Sequence, residues 1–237
     1  MKKYKDKKRD YFIYGINNSY ELLQSKKNII ISIFLLKNGR AYKEKKIKHH
    51  IKNFKDKLFI LEKNDFNQKF RSIRSQGIVI HFIFSYKILP STFLNKNTCL
   101  LIPEEIEDPQ NLGQIIRTSE CAGIDGILIS KHRNVGITSS VLQVSQGAFL
   151  NFPIYSIGNI NQTLLMLKKE GFWIVGVENS IKASDWHSID YSGKIVFIFG
   201  SEGRGIKPNT LKKCDSIITI PMLGKINSLN ISASVSA

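Results

Sequence analysis

From Cys99 onward the chain alternates short apolar runs with segments of helical period, and this alternation constrains the fold more than any other feature. CLLI (99–102), GILIS (126–130), PIYSI (153–157), FWIVGVE (172–178), KIVFIFG (194–200) and SIITIPM (216–222) read as strands. Residues 111–122, 139–149 and 161–170 read as helices, the first and third stopped by Gly123 and Gly171. A strand with one wet face alternates apolar and polar residues, whereas these runs are almost wholly apolar. They therefore need cover on both faces, which a parallel sheet between helical layers provides. The expected fold class is α/β.

The first 85 residues are less regular. YGINNSYELL reads as a turn entering a helix, NIIISIFLL as a buried strand, KLFILEKNDFNQ as a strand followed by a helix start, and GIVIHFIF (77–84) as a closing strand. SYKILPSTFLNKN (85–97) has a proline and no clear period, as a linker would. The expected division is a basic tail over 1–10, a small unit over 11–85, a linker over 86–97 and the α/β unit over 98–237.

Charge separates the same two regions. Of 35 Lys and Arg and 19 Asp and Glu in the 237 residues, the first 100 hold 23 basic and 7 acidic side chains, and the remainder holds 12 of each. A Lys- and Asn-rich compositional bias would spread lysine over both parts. Confinement of the excess to one part points to a phosphate backbone as its partner. No apolar stretch approaches the roughly 20 residues that span a bilayer. The basic start is followed by no apolar segment of signal-peptide length. Three cysteines, Cys99, Cys121 and Cys214, are widely spaced and form no CxxC, and the histidines at 49, 50, 81, 132 and 187 show no ligand spacing. Neither a disulfide framework nor a metal site is expected. The expectation is a cytoplasmic protein with no membrane contact.

Three segments carry dense Gly, Asn, Ser and Pro at the ends of strands, where open α/β sheets place ligands. EDPQNLGQIIRTSECAG (107–123) places Asn111 as a candidate helix cap and Gly113 four residues before Arg117. A capped surface helix with a solvated arginine explains this segment equally well. FIFGSEGRGI (197–206) runs a strand into Gly200, Gly203 and Gly205, with Glu202 between them. The spacing is GxxGxG late in the domain, not the GxGxxG that opens a helix after a first strand, which disfavours a dinucleotide-binding oxidoreductase. ITIPMLGKINSLNISAS (218–234) ends a strand at Pro221 and enters a helix near Ser228 and Asn230, both able to cap it.

Taken together, DPxNxGxxxRT at 108–118, FGSEGRG at 199–205 and IPMxGxxxSLNxS at 220–232 resemble the SpoU branch of the SPOUT RNA ribose 2′-O-methyltransferases. The likeness covers 99–237, with SQGAFLNFPI (145–154) adding to it, and is nearest the type that modifies a guanosine of 23S rRNA. YGINNSYELL and RSQGIV (74–79) resemble, more loosely, the L30e-like RNA-binding domain of the rRNA members. The resemblance implies a parallel-sheet trefoil-knot domain, a rare exception to unknotted topology, behind a small L30e-like domain. It implies S-adenosylmethionine as methyl donor, RNA as substrate, a homodimer and no metal. It carries the donor contacts over to Gly200, Gly205, Ile220, Met222, Gly224 and Leu229, and the catalytic set to Asn111, Arg117, Glu202, Ser228 and Asn230. A guanidinium stays protonated at neutral pH, so the expected role of Arg117 is to grip phosphate and stabilise alkoxide charge, with phosphate or water taking the proton. A tRNA guanosine, an rRNA adenosine, or RNA binding without catalysis are the alternatives. Family chains extend past SLNxS into a full helix, while seven residues follow Asn230 here, so a short final helix and weak donor binding are expected.

Overall fold

The computed structural model describes residues 9–25, 29–71, 73–180, 182–226 and 228–237. The basic tail expected over 1–10 lies outside these residues apart from Arg9 and Asp10, which open a strand. The chain forms two compact units, Met1–Ser85 with Thr138–Leu150, and Tyr86–Ile137 with Asn151–Ala237.

In the first unit the described elements are β1 (Arg9–Tyr14), α1 (Ile16–Gln24), β2 (Ile30–Leu36), α2 (Arg40–Lys43), α3 (Lys45–Ile51), β3 (Leu58–Leu61), α4 (Lys63–Lys69) and β4 (Ile78–Phe84). The strands lie in the order β1-β4-β2-β3; β4 is antiparallel to both neighbours and β2 is parallel to β3. Period-2 alternation buries Tyr11 and Ile13 of β1 and leaves Phe12 on the other side. Residues 138–150 return to this unit through specific bonds. The Gln143 side chain accepts from the Tyr14 amide at 3.1 Å and donates to the Tyr14 carbonyl at 2.8 Å, satisfying edge-strand groups that would otherwise need water. Phe149 packs on Phe82, ring centroids 5.6 Å apart.

The second unit holds β5 (Thr98–Pro103), α5 (Pro109–Cys121) and β6 (Gly126–Ser130). The returning segment supplies α6 (Ser139–Val144), and then come β7 (Ile154–Ile157), α7 (Ile160–Lys169), β8 (Trp173–Val177), β9 (Ser184–Asp185), β10 (Lys194–Phe199), α8 (Pro208–Leu211), β11 (Ser216–Thr219) and α9 (Ile231–Ser236). Its sheet runs β7-β6-β5-β10-β8-β11-β9, with every pairing parallel. One face carries Leu100, Ile102, Leu128, Ile174, Val196 and Ile198 against Leu164, Leu167 and Phe172. Val175, Ile195 and Ile218 face the other way, with Trp173, Trp186 and Phe197 packed on them. Each such aliphatic side chain contributes about 1.5–3 kcal/mol on burial. The α/β class and the parallel C-terminal sheet are as expected, and the N-terminal sheet is mixed.

Three expectations change. The segment read as a linker over 86–97 packs into the second unit: Leu89 and Phe93 join its core, Lys87 bridges to Tyr155, and Lys194 Nζ donates to the Phe93 carbonyl at 2.8 Å. The helix expected over 139–149 ends at Val144, because Gln146 and Gly147 take positive φ (54° and 92°). Thr138–Leu150 lies with the first unit although the sequence pattern assigned it to the second. The cysteines are free thiols, and burial pushes Cys99 and Cys214 up to about 11, leaving them unreactive at neutral pH.

Candidate functional site

The C-terminal ends of β5, β8, β10 and β11 lie side by side in the sheet, and the chain leaves each of them at the same edge. After β10 it turns at once: the Ser201 amide donates to the Gly205 carbonyl at 3.2 Å and the Gly205 amide donates back to the Ser201 carbonyl at 3.0 Å. This closure brings Gly205 so near Gly200 that a Cβ on Gly200 would stand 2.0 Å from the Gly205 carbonyl carbon. Glycine at 200 is required by contact. At Gly205 it is required by φ of +66° as well, and a Cβ there would meet Glu178 Oε2 at 2.8 Å.

Two carboxylates from flanking strands hold the turn. Glu178, just past β8, accepts from the Ile206 amide at 2.7 Å. Glu104, just past β5 and 2% exposed, accepts from the Lys207 amide at 3.0 Å and from Thr210 Oγ1 at 2.9 Å. Neither acid was singled out in the sequence. A glutamate following an apolar strand has the pattern of a solvated turn, and its only signal is its place at the C-terminal end of a central strand. Nearby, Lys207 and Arg133 both reach Glu105 Oε1, at 2.6 and 3.3 Å, and the Lys207 ammonium in particular holds that carboxyl below the usual range.

The third wall comes from the chain's last segment. Asn230 is the N-cap of α9: its Oδ1 accepts from the Ser232 amide at 2.9 Å and from Ser232 Oγ at 2.6 Å. Its Nδ2 donates to Asn111 Oδ1 at 2.9 Å and to Glu202 Oε1 at 2.7 Å, and Asn111 Nδ2 donates to the same Glu202 oxygen at 2.9 Å. Three segments separated by up to 119 positions thus meet in one hydrogen-bonded triangle. Asn111 is buried and sits inside α5. The expected cap role belongs to Asp108, whose carboxylate accepts from the Gln110 amide at 2.8 Å while Pro109 occupies the first turn.

A cavity of about 520 Å3 opens between these walls, within the range of about 300–1,000 Å3 usual for small-molecule sites. Gly200, Glu202, Gly205 and Ile220 line it, as do Met222, Ser228, Leu229 and Asn230. Glu178, Asn179 and Val177 complete the strand-end side. A second, polar cavity of about 280 Å3 shares Ser201, Glu202 and Ile231 with the first and is lined further by Asn111, Glu107 and Arg204. Two expected residues line neither: Gly224, which has open space around it, and Arg117, exposed on α5, while Gly113, four residues earlier, is buried. Among the described residues no His, Cys, Asp and Glu cluster is placed to hold a metal ion, and no helix is long and apolar enough to cross a membrane.

Residues 98–237 match the SpoU rRNA Methylase family, and residues 12–85 match the RNA 2′-O ribose methyltransferase substrate binding family. A Bacillus subtilis protein assigned to the TrmH family of tRNA/rRNA methyltransferases is 41% identical over 143 residues, covering 60% of this chain and 56% of that protein. Its Staphylococcus saprophyticus counterpart is 39% identical over 142 residues, 60% of this chain and 57% of that one. The chain thus spans little more than half the length of these curated relatives. The AdoMet-bound rRNA methyltransferase of Sinorhizobium meliloti has the same fold, with a TM-score of 0.78 at 20% identity over 96% of this chain and 84% of that one.

The two glycines predict opposite outcomes. Gly200→Ala is expected to lower stability by about 2 kcal/mol or more, since backbone atoms at 2.0 and 2.3 Å cannot yield without opening the 201–205 turn. Gly224→Ala, in open space, should stay within about 0.5 kcal/mol; urea denaturation of both variants checks this. Asn230→Asp keeps the capping acceptor but sets a second carboxylate against Glu202. The thermal midpoint of Asn230→Asp should lie several degrees below the parent's at neutral pH; an unchanged midpoint would show that the two groups do not interact.

Proposed function

Because the chain belongs to the SpoU rRNA Methylase family, we propose that it methylates a ribose 2′-hydroxyl of structured RNA with S-adenosylmethionine as donor. The observation that carries this reading is the Asn111–Glu202–Asn230 triangle, which stands where the 520 Å3 cavity meets its polar neighbour. One cavity offers room for the donor and the other for a nucleotide, and Glu202 lines both.

The fit to the donor rests on the walls. Gly200 and Gly205 bring bare backbone to the cavity, Ile220, Met222 and Leu229 supply apolar surface for a flat ring, and Glu178, Asn179 and Ser201 supply polar groups at the strand ends. The donor, when bound, brings a methyl carbon on a sulfonium that leaves as a neutral thioether. The chain has to align an oxygen in line with that carbon and manage its proton. Glu202 Oε1 takes both amide donors, leaving its other oxygen as an acceptor for the 2′-hydroxyl. Asn111 and Asn230 fix the carboxylate, and Ser228 lines the cavity beside them. Arg117 lines neither cavity, so in this reading its guanidinium meets the substrate phosphate only when a second copy of the chain brings it there, consistent with a homodimer. The match of residues 12–85 to a substrate-binding family, with the basic excess of the first 100 residues, supports RNA as partner. We assign the target to a guanosine of 23S rRNA; a tRNA guanosine is the alternative, and relatives assigned to tRNA/rRNA methylation leave room for both.

Incubating the purified chain with labelled donor and total RNA, then mapping modified riboses, tests the reading directly: 2′-O-methyl groups at a discrete position in structured RNA are expected, and methyl groups on bases would overturn it. Arg117→Lys is expected to cut kcat about tenfold or more with donor affinity unchanged, because a point charge replaces a planar fork on phosphate. Turnover within about twofold of the parent would exclude a guanidinium role.

A further inference from the structure

The sheet of the first unit has one face covered by helices and another that is covered only in part. Period-2 alternation places Phe12, His81, Val79, Phe34 and Phe59 on that second face, since Phe12 pairs with His81, Phe34 with Val79, and Phe34 with Phe59 in the strand register. The helix α4 covers the Phe34 and Val79 end through Phe66 and Phe70. At the margins of this cover two phenyl rings stay open, Phe12 at 40% and Phe59 at 49% exposure. Each lies on a second ring: Phe12 stacks on His81 with centroids 4.5 Å apart and planes 12° from parallel, and Phe59 on Phe34 at 5.5 Å and 23°. A ring packed against a second ring is restrained before any ligand arrives, so less entropy is lost when a flat group settles on its open face.

Charge accompanies the rings. Lys69 Nζ stands 4.0 Å from the centre of the Phe34 ring, and Lys57, which enters β3, donates to the Ile30 carbonyl at 2.7 Å. The acid on this face, Asp10, is paired with His81 Nε2 at 2.8 Å, and that bond holds its carboxyl below the usual range. Lys63 and Lys69 lie on α4, the helix packed on this face, and the first 100 residues of the sequence hold the chain's basic excess, 23 Lys and Arg against 7 Asp and Glu. Nucleobases fit both features, because every base has a π face that stacks on aromatic side chains and nearby lysines can track the phosphates. Phe12 and Phe59 lie on the outer strands of a four-stranded sheet, three strand spacings of about 4.8 Å apart across it and two residues, about 6.6 Å, apart along it, so the two rings would take bases two or three nucleotides apart.

We propose that this sheet face is a stacking platform for unpaired bases of the RNA substrate, so that the first unit selects a single-stranded element of that RNA. The proposal rests on the RNA-binding part of the function above and is tested separately from it. The probes are a fluorescently labelled short oligoadenylate and a fully paired RNA hairpin, titrated into the full chain without donor. Phe12→Leu with Phe59→Leu keeps apolar bulk and removes both π faces. The double variant is expected to lose about tenfold or more in affinity for oligoadenylate and less than about twofold for the hairpin. A further variant, Phe12→Trp, should show indole fluorescence quenched by oligoadenylate. Unchanged oligoadenylate affinity in the double variant, or equal loss for both RNAs, overturns the platform, as does a change in self-association with RNA affinity unaltered, which would assign the face to a second copy. A parent chain that methylates RNA while the double variant binds oligoadenylate normally sinks this inference alone. Ring-dependent oligoadenylate binding by a chain that transfers no methyl group supports the platform and sinks the activity.

Discussion

A primary amide at Asn230 joins the end of the chain to the centre of the second unit. Its oxygen satisfies the first amides of α9 and its nitrogen reaches both Asn111 and Glu202. Another side chain would not serve at this point: a carboxylate would repel Glu202, and an aliphatic residue would leave the buried Asn111 oxygen without this donor at about 1–3 kcal/mol. The triangle therefore anchors α9 to α5 and fixes Glu202 between two cavities, and the rest of the site takes its shape from that junction.

Much of this architecture is legible in the residues. The unbroken apolar runs could only be strands covered on both faces, and they are. The three Gly, Asn and Ser loops stand together at the C-terminal edge because a parallel sheet sends every such loop to the same side. What the residues do not disclose depends on distant partners. Glu104 and Glu178 look like solvent-facing turn residues until the 205–210 backbone is seen to donate to them. Asn111 looks like a cap by residue type alone, while Asp108, three positions earlier, is the cap and Pro109 opens the first turn. Residues 86–97 look like a linker because Leu89 and Phe93 reveal their packing only against Phe172 and its neighbours. Local chemistry sets local structure, and long-range pairing is written in residues whose local reading is bland.

The two units divide the physical work. The first carries most of the net charge and the open rings, which in the proposed function engage phosphate and base rather than the reacting atoms. The second is balanced in charge and encloses cavities, where a few placed groups matter more than total potential. That Thr138–Leu150 folds with the first unit while its flanks belong to the second means the chain crosses between units more than once.

The glutamates on either side of β10 carry a consequence for exchange. Glu178 follows β8 and Glu104 follows β5, the two strands that flank β10 in the sheet, so the 200–207 backbone is tied to both neighbours of the strand from which it departs. Such a wall cannot swing without disturbing the sheet. The glycines at 200 and 205 therefore serve close approach of backbone rather than movement, and a molecule entering or leaving the cavity passes a wall that stays in place.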